Sequence, residues 1–423
     1  MRASKIIVIS ILSSILMLID WYVWQAVTVA FQGASGQIQT IIKWAYWSFS
    51  ALTMTGLWAY NFLNPDFLGP KLRRFILSGL MIVYVSKLVS VVFVLLDDII
   101  RGFKWLRQSL FPNAELANGT IGDGVGIARS ELLMKTAVIA ASIPATAFTW
   151  GIISGAHDYR IRNIRLAIKD LPKAFEGMTI AQVSDIHSGS FFNKTAVKGG
   201  VDMLMQKKPD MVFFTGDLVN NEAREVKDYI DIFDKIKAPL GVYSTLGNHD
   251  YGDYVAWPSL QAKQQNLQHL MQAHKVMGYD LLMDENRTIS LGGDKLSIVG
   301  VQNISGHEHR FHSYGNLPKA LNGTEDAAVK LLLSHDPTHW DKEVNTKYPE
   351  IDVMFSGHTH GAQFGINIFD KTYSPAQWAY KQWAGLYKEG DQQLYVNRGY
   401  GYLGYPGRVG MPPEITIFEL ARG

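Results

Sequence analysis

The sequence has 423 residues, a net charge of +2 and 18% charged side chains. That leaves room for two or three domains, and the bulk charge points to neither nucleic acid nor a strongly acidic partner. Cysteine is absent, which excludes disulfides and thiolate metal sites but leaves the compartment open; any metal must rest on His, Asp, Glu or Asn.

Mean hydropathy is near zero, an average of two unlike halves. Four long apolar stretches precede residue 155: Ile6 to Phe31, Trp44 to Leu63, Phe75 to Leu96 and Thr136 to Ser154. Each meets the roughly 20 residues needed to cross a hydrocarbon core about 30 Å thick. Trp21, Trp24, Trp44, Trp47, Trp58 and Trp150 fall toward their ends, as in an interfacial aromatic belt. The first stretch has Lys5 ahead of it and Ala26 to Ala30 near its end, features shared with a cleaved signal peptide; its length and Asp20 favour a retained helix. Asp20 and Lys87 are charges inside these runs. Such charges mark transport pathways or partner-stabilised structure, and the second reading is preferred here.

After the third stretch, Ile99, Phe103, Leu106 and Leu110 recur at helical spacing with Arg101, Lys104 and Arg107 between them. This pattern predicts a short amphipathic helix over 99–110 on a lipid surface. Pro112 to Gly126 is rich in Gly, Asn and Asp and reads as a loop. With the N-terminus inside, the cytoplasmic segments of a four-span arrangement carry nine Lys and Arg against six outside, which favours a cytoplasmic second half, while the basic amphipathic stretch 99–110, then outside, argues for the opposite sidedness.

From Tyr159 the pattern changes. Tyr159, Ile161, Ile164, Leu166 and Ile168 mostly alternate with basic residues, as on a half-buried strand. Further apolar runs each end in acidic, amide or imidazole side chains. Met178 to Ser184 delivers Asp185-Ile186-His187, and Met211 to Thr215 delivers Gly216-Asp217. Gly241 to Leu246 delivers Gly247-Asn248-His249-Asp250. Val329 to Leu333 delivers Ser334-His335-Asp336, and Ile351 to Ser356 delivers Gly357-His358-Thr359-His360. Helical stretches around Thr195 to Lys207, Glu222 to Ile236 and Pro258 to Met277 lie between. Strands at Glu285 to Ile289, Leu296 to Val301, Gln393 to Asn397 and Glu414 to Leu420 complete an α/β pattern of packed sheets flanked by helices.

The tips collect Asp185, His187, Asp217, Asn248, His249, His335, His358 and His360. A single metal needs three or four ligands, so eight candidates suggest two metals sharing a carboxylate, an arrangement that clamps a phosphate. Imidazole suits borderline metals such as Mn, Fe, Zn or Ni, and an Asn carbonyl adds no charge. His358 and His360, two apart in an extended strip, point to opposite sides and could serve different metals.

This ordered series resembles the calcineurin-like metallophosphoesterase superfamily, over about residues 160 to 423. Ser184, Gly361, the run Tyr395-Val396-Asn397-Arg398-Gly399 and the ending Pro412-Pro413-Glu414-Ile415 resemble its membrane-associated branch, the YkuE- and YaeI-type phosphoesterases and transmembrane metallophosphoesterases. The resemblance implies a four-layer α/β (α+β) β-sandwich over 156–423, preceded by a helical membrane domain over 1–155 with about four spans. It implies that Asp185, His187 and His360 bind one metal, that Asn248, His335 and His358 bind the other, and that Asp217 bridges. His249 is then the group that contacts phosphoryl oxygen or protonates the leaving alkoxide, with Asp250 in support. Two divalent ions, Mn favoured, are the implied cofactors, and hydroxide attack on a phosphodiester or pyrophosphate is the implied reaction. Two positions depart from the pattern: Asn220 where many relatives have Asp, which leaves the orientation of His249 open, and Gln302-Asn303 where an acidic residue is common.

Substrate signals are thinner. His307, His309, Arg310 and His312 sit in a loop that could border the metals. Trp378, Tyr380 and Trp383 with Lys381 suit an interface or a stacked ring. Arg398 and Arg408, in Gly-rich turns, are candidates to bind substrate phosphate. Anchoring in a bacterial plasma membrane suggests a lipidic substrate; the resemblance implies a lipid-linked pyrophosphate such as UDP-2,3-diacylglucosamine as one candidate, beside phospholipid headgroup esters and small phosphodiesters. The alternatives are a membrane sensor or transporter whose phosphoesterase-like half only binds a ligand, and an anchored nucleotide or protein phosphatase.

Overall fold

The computed structural model describes residues 2–110, 127–369 and 371–423. Met1–Trp150 and Gly151–Gly423 form two compact units.

The first unit is helical: α1 Arg2–Ala30, α2 Gly36–Phe62, α3 Pro65–Leu110 and α4 Glu131–Ile153, which runs on into the second unit. Among the described residues, Ser4–Ala30, Lys71–Leu110 and Glu131–His157 are long and apolar enough to span a membrane. α2 is about 40 Å long, but Gln37, Gln39, Lys43 and its Ser and Thr residues dilute its apolarity. Length and composition therefore support three spans where four were expected. The stretch read as a separate amphipathic helix, 99–110, is instead the end of α3, whose one non-helical residue is Gly69. No breaker separates it from the span before it. Pro112 to Gly126, read as a loop, lies outside the described residues.

Both charges inside the apolar runs are paired. Lys87 Nζ lies 2.5 Å from Asp20 Oδ1 and donates to Ser50 Oγ, while Tyr46 OH donates to the Asp20 carbonyl. Further along α3, Arg129 reaches Asp97 at 3.1 Å and Asp98 at 2.9 Å, and Tyr22 OH donates to Asp98. Each ion pair links helices through groups that could not be left unpaired in an apolar medium.

The second unit contains fourteen strands among the described residues. In chain order they are β1 Arg160–Ile168, β2 Thr179–Val183, β3 Met211–Thr215, β4 Val242–Thr245, β5 Asp280–Leu281, β6 Glu285–Leu291 and β7 Asp294–Gly300. Then follow β8 Val329–Leu333, β9 Val353–Ser356, β10 Ile366–Ile368, β11 Lys371–Tyr373, β12 Gly385–Glu389, β13 Gln392–Val396 and β14 Glu414–Arg422. Two six-stranded sheets result, ordered β1-β14-β2-β3-β4-β5 and β12-β13-β9-β8-β7-β6, with β10-β11 a separate hairpin.

Period-2 alternation sorts each strand's side chains between layers. In β3, Phe213 faces the space between the sheets, with Phe355, Leu331 and Phe418; Val212 and Phe214 face outward onto the helices Lys194–Met205 and Leu260–Met277. On the other side Leu332 and Met354 meet Leu317, Trp340 and Val344. Helix, sheet, sheet, helix is the four-layer sandwich expected. The stretch Glu222 to Ile236 departs from the expected single helix. It is a 3-10 run, Ala223–Tyr229, followed by the short helix Ile230–Phe233. There Glu225 folds back to accept from Asn220 N and Glu222 N.

His274, in helix Leu260–Met277, is buried against Phe214 and Tyr279 with Nδ1 on Ser244 Oγ at 3.0 Å. Burial pushes its pKa down to about 3. Between pH 6.5 and about 3 the unfolded chain therefore holds a proton that the folded chain refuses, and stability falls as pH falls. His274→Leu should flatten this acid limb relative to the parent protein; thermal unfolding followed from pH 7 to pH 4 reads the difference in slope.

Candidate metal centre

All five tips converge at the C-terminal ends of β2, β3, β4, β8 and β9, where the parallel strands release their chain. The turns are sharp: Asp185, His187, Asp217, His358 and His360 all have φ between 48° and 71°. Left-handed backbone is unfavourable for side chains other than Gly, and it clusters at functional sites. At these tips it turns side chains only one or two residues apart into one cavity.

Two donor groups form. Asp185, His187 and His360 make one; Asp217, His335 and His358 make the other, and in each group the candidate ligand atoms lie within 4.8 Å of one another. His187 Nε2 is 3.0 Å from His360 Nε2, which is 3.3 Å from Asp185 Oδ1. Asp217 Oδ2 sits between the groups, 3.5 Å from His187 Nε2 and 3.1 Å from His335 Nε2. Asn248 Oδ1 joins the second group at 2.8 Å from His358 Nδ1. His358 and His360 thus serve different groups.

The electrostatics of this cluster call for a cation. Burial raises the Asp217 carboxyl, yet the His335, His249 and His187 rings hold it well below the usual carboxylate range. Burial lowers His335, but Asp217 outweighs it and lifts the imidazole to about 10. His187 is driven down to about 3 by burial, and Asp185 is driven up to about 6. A protonated His335 is the charge balance that the bare protein can supply. Facing imidazole lone pairs beside two buried carboxylates make the donor set that dications replace protons in. The residues fit two divalent ions.

Four of the donors are held from behind. His335 Nδ1 donates to Thr215 O at 2.8 Å, which turns Nε2 inward. Asp185 accepts the His358 N–H, and a Cβ on Gly357 would come within 2.1 Å of Asp185 Oδ2, so only glycine fits there. Asn248 Nδ2 donates to Tyr254 OH at 2.7 Å, leaving its Oδ1 for the centre. His358 Nε2 lies 3.0 Å from Tyr380 OH. Asp250 is no donor to the centre: it accepts from the backbone N–H groups of Gly247, Asp217, Leu218 and Val219 at 2.8–3.2 Å.

The open question over His249 resolves through the backbone. Its Nδ1 donates to the main-chain oxygen of Asn220 at 2.7 Å, so the identity of the Asn220 side chain is immaterial to it. That side chain pairs instead with Ser190. The His249 ring lies beside His187, centroids 5.0 Å apart.

The two arginines assigned to substrate are placed elsewhere. Arg398 is buried on Glu414, at 2.5 Å. Arg408 is fully buried; its guanidinium donates to the carbonyls of Arg398, Gly399 and Gly401, and Nη2 is 3.2 Å from His360 Nδ1. Both were expected at a phosphate. Their Gly-rich turns fold inward, and the cations stabilise the loop behind the centre. Of the His-rich loop, Phe311 reaches the centre, its ring 4.7 Å from His358. Tyr254 went unnoticed in the sequence, and a Tyr following the Asn-His-Asp run was the only signal available. Tyr380 was noticed only as an aromatic.

Residues 178–362 match the family model described as Calcineurin-like phosphoesterase. Residues 2–156 match that of Probable Calcineurin-like phosphoesterase, transmembrane domain. A Danio rerio protein named Transmembrane protein with metallophosphoesterase domain is 27% identical over 294 residues, 68% of this chain and 63% of its own, so this chain spans less than two thirds of that relative. The YkuE metallophosphoesterase of Bacillus subtilis (strain 168), described as uncharacterized, is 29% identical over 255 residues, 59% of this chain and 81% of its own. Among solved structures, the sulfate thiohydrolase SoxB of Thermus thermophilus aligns at 12% identity and a TM-score of 0.34, over 55% of this chain and 53% of its own.

Partners behind metal ligands carry about 10–100-fold in metal affinity. Tyr254→Phe and Tyr380→Phe should each weaken binding of one Mn ion by that factor and leave the other unchanged. Calorimetric titration of the metal-free protein reads the two steps; equal weakening of both would contradict this placement.

Proposed function

We propose that the chain is a calcineurin-like phosphoesterase in a form carrying a transmembrane domain, and that it hydrolyses a phosphodiester or pyrophosphate bond with two divalent cations. The observation that carries the proposal is the position of Asp217 Oδ2 between two donor groups, Asp185/His187/His360 and Asn248/His335/His358. When bound, two such ions supply Lewis-acid polarisation of phosphoryl oxygens and a water acidified for attack. Mn is the metal proposed, from a donor set of oxygen and imidazole that also accepts Fe, Zn and Ni.

The chain's own residues do the rest. Asn220 O keeps the His249 proton on Nδ1, so Nε2 takes up a second proton and passes it to the departing alkoxide. The rings of His187 and Tyr254 flank it, with centroids at 5.0 and 4.6 Å. His249 N–H donates to Asp217 Oδ1 at 2.9 Å, coupling the position of the acid to that of the bridge. No protein side chain is needed as a covalent nucleophile.

An anchored enzyme meets substrates at a bilayer, and a lipid-linked pyrophosphate such as UDP-2,3-diacylglucosamine is the proposed class, with the catalytic unit in the bacterial cytoplasm. A purely ligand-binding role is less well supported, because no expected donor is missing.

Purified full-length protein assayed with Mn should release p-nitrophenol from bis-p-nitrophenyl phosphate, and lipid extracts assayed beside it test the substrate class. Asp217→Asn and Asn248→Ala should abolish Mn-dependent release; full activity in either would refute the reading. His249→Ala should lower kcat by about 10²–10⁴-fold with bound Mn unchanged by elemental analysis.

A further inference from the structure

The hairpin β10–β11 stands outside both sheets and is amphipathic in cross-section. Its register pairs Ile366 with Tyr373, Asn367 with Thr372 and Ile368 with Lys371. Pairs alternate between faces, so Ile366, Ile368, Tyr373 and Lys371 share one face. On the other, Thr372 Oγ1 donates to Asn367 Oδ1. Phe369 follows at the tip and Trp378 lies five residues beyond β11; they are 98% and 82% exposed. Phe369 also holds left-handed backbone, φ 53°, a conformation in which folding alone would favour glycine or asparagine.

A face of Ile, Phe, Tyr and Trp with one Lys is costly in water and typical of the headgroup region of a bilayer. Position argues for the same occupant. Phe364 and Gly365, at the root of the hairpin, pair with Val409. Its neighbour Arg408 donates its backbone N–H to Gly151 O at 3.1 Å, in the last turn of α4. Contact is close: a Cβ on Gly155 would fall 2.1 Å from Arg408 O. The segment Glu131–His157 is one of the three able to span a membrane. The hairpin root is therefore braced, within its own unit, on Gly151 and Gly155, the residues at the end of the apolar segment Glu131–His157.

We propose that the hairpin face Ile366, Ile368, Phe369 and Tyr373, with Trp378, inserts into the interfacial layer of the bilayer that the chain spans, Lys371 meeting anionic headgroups. The inference rests on membrane anchoring and is independent of catalysis. It has a consequence for the centre, because both ends of the hairpin lead there. His360 is six residues before β10, and Ser374 Oγ, just after β11, donates to Gly361 O at 2.7 Å. Seven residues past β11, Tyr380 stands at His358.

The chain has no cysteine, so Phe369→Cys in the full-length protein offers one thiol for a bimane label; Lys347→Cys, also exposed, is the control. Both are reconstituted in vesicles of phosphatidylethanolamine and phosphatidylglycerol. The label at 369 should be quenched at least threefold more by brominated lipid than the label at 347, and less by aqueous iodide. Equal quenching profiles at the two positions would overturn the proposal, as would a disulfide between two copies through position 369, which would make the occupant a second chain. Phe369→Ser/Trp378→Ser should leave hydrolysis of bis-p-nitrophenyl phosphate within twofold, and a loss beyond that would count against a face that acts independently of catalysis.

Discussion

The site depends on one carboxylate that never faces the reaction. Asp250 is buried and gathers four backbone N–H groups, from Gly247 and from the consecutive residues 217 to 219. Without it those donors would be left unsatisfied, at about 1–3 kcal/mol each. By accepting them, Asp250 locks the tip of β3 to the tip of β4, and so places Asp217 against Asn248 and His249. Burial and the Asp217 charge push its own carboxyl up to about 7. The Asp217 carboxyl is pushed the other way by the rings of His335, His249 and His187, so two neighbouring buried carboxylates are shifted in opposite directions by their surroundings.

Much of this was legible in the order of residues. An apolar run ending in Asp, Asn or His announces a strand that delivers chemistry, and five such runs are enough to fix which side chains meet. The division of His358 and His360 between two groups was expected from their spacing on an extended strip, whereas in the fold left-handed backbone at both, φ 71° and 51°, produces it. What escaped was anything carried by main-chain atoms or by long-range loops. The carbonyl of Asn220 orients His249, and no side-chain comparison could reveal it. Tyr254 and Tyr380 come from separate loops, and a lone Tyr has too many ordinary uses to be singled out. Arg398 and Arg408 were misplaced because Gly-rich turns look exposed in sequence, whereas here they fold the cations inward onto Glu414 and main-chain carbonyls.

The helical unit obeys a different economy. Hydropathy identifies its spans, but the hydropathy of a run says little about which face of each helix is polar. Asp20 with Lys87, and Asp97 and Asp98 with Arg129, pair groups contributed by distant parts of the sequence. The acidic groups belong to α1 and α3, and Arg129 lies just before α4. Such pairs add little net stability over apolar packing, yet each forbids alternative registers in which a single charge would be stranded. They specify how the helices meet.

The order of the first sheet has a biosynthetic consequence. β14 lies between β1 and β2, parallel to one and antiparallel to the other, although it follows them by more than two hundred residues. Helices that span a bilayer can insert as they leave the ribosome, but this sheet has a gap until residues 414 to 422 have been made. During that interval β1 presents an open edge next to the membrane-spanning segment it follows. The exposed arginines of β1, Arg160, Arg162 and Arg165, are the kind of charged side chains that discourage pairing with the wrong strand. Pairing of β14 with β1 and β2 is what closes that gap.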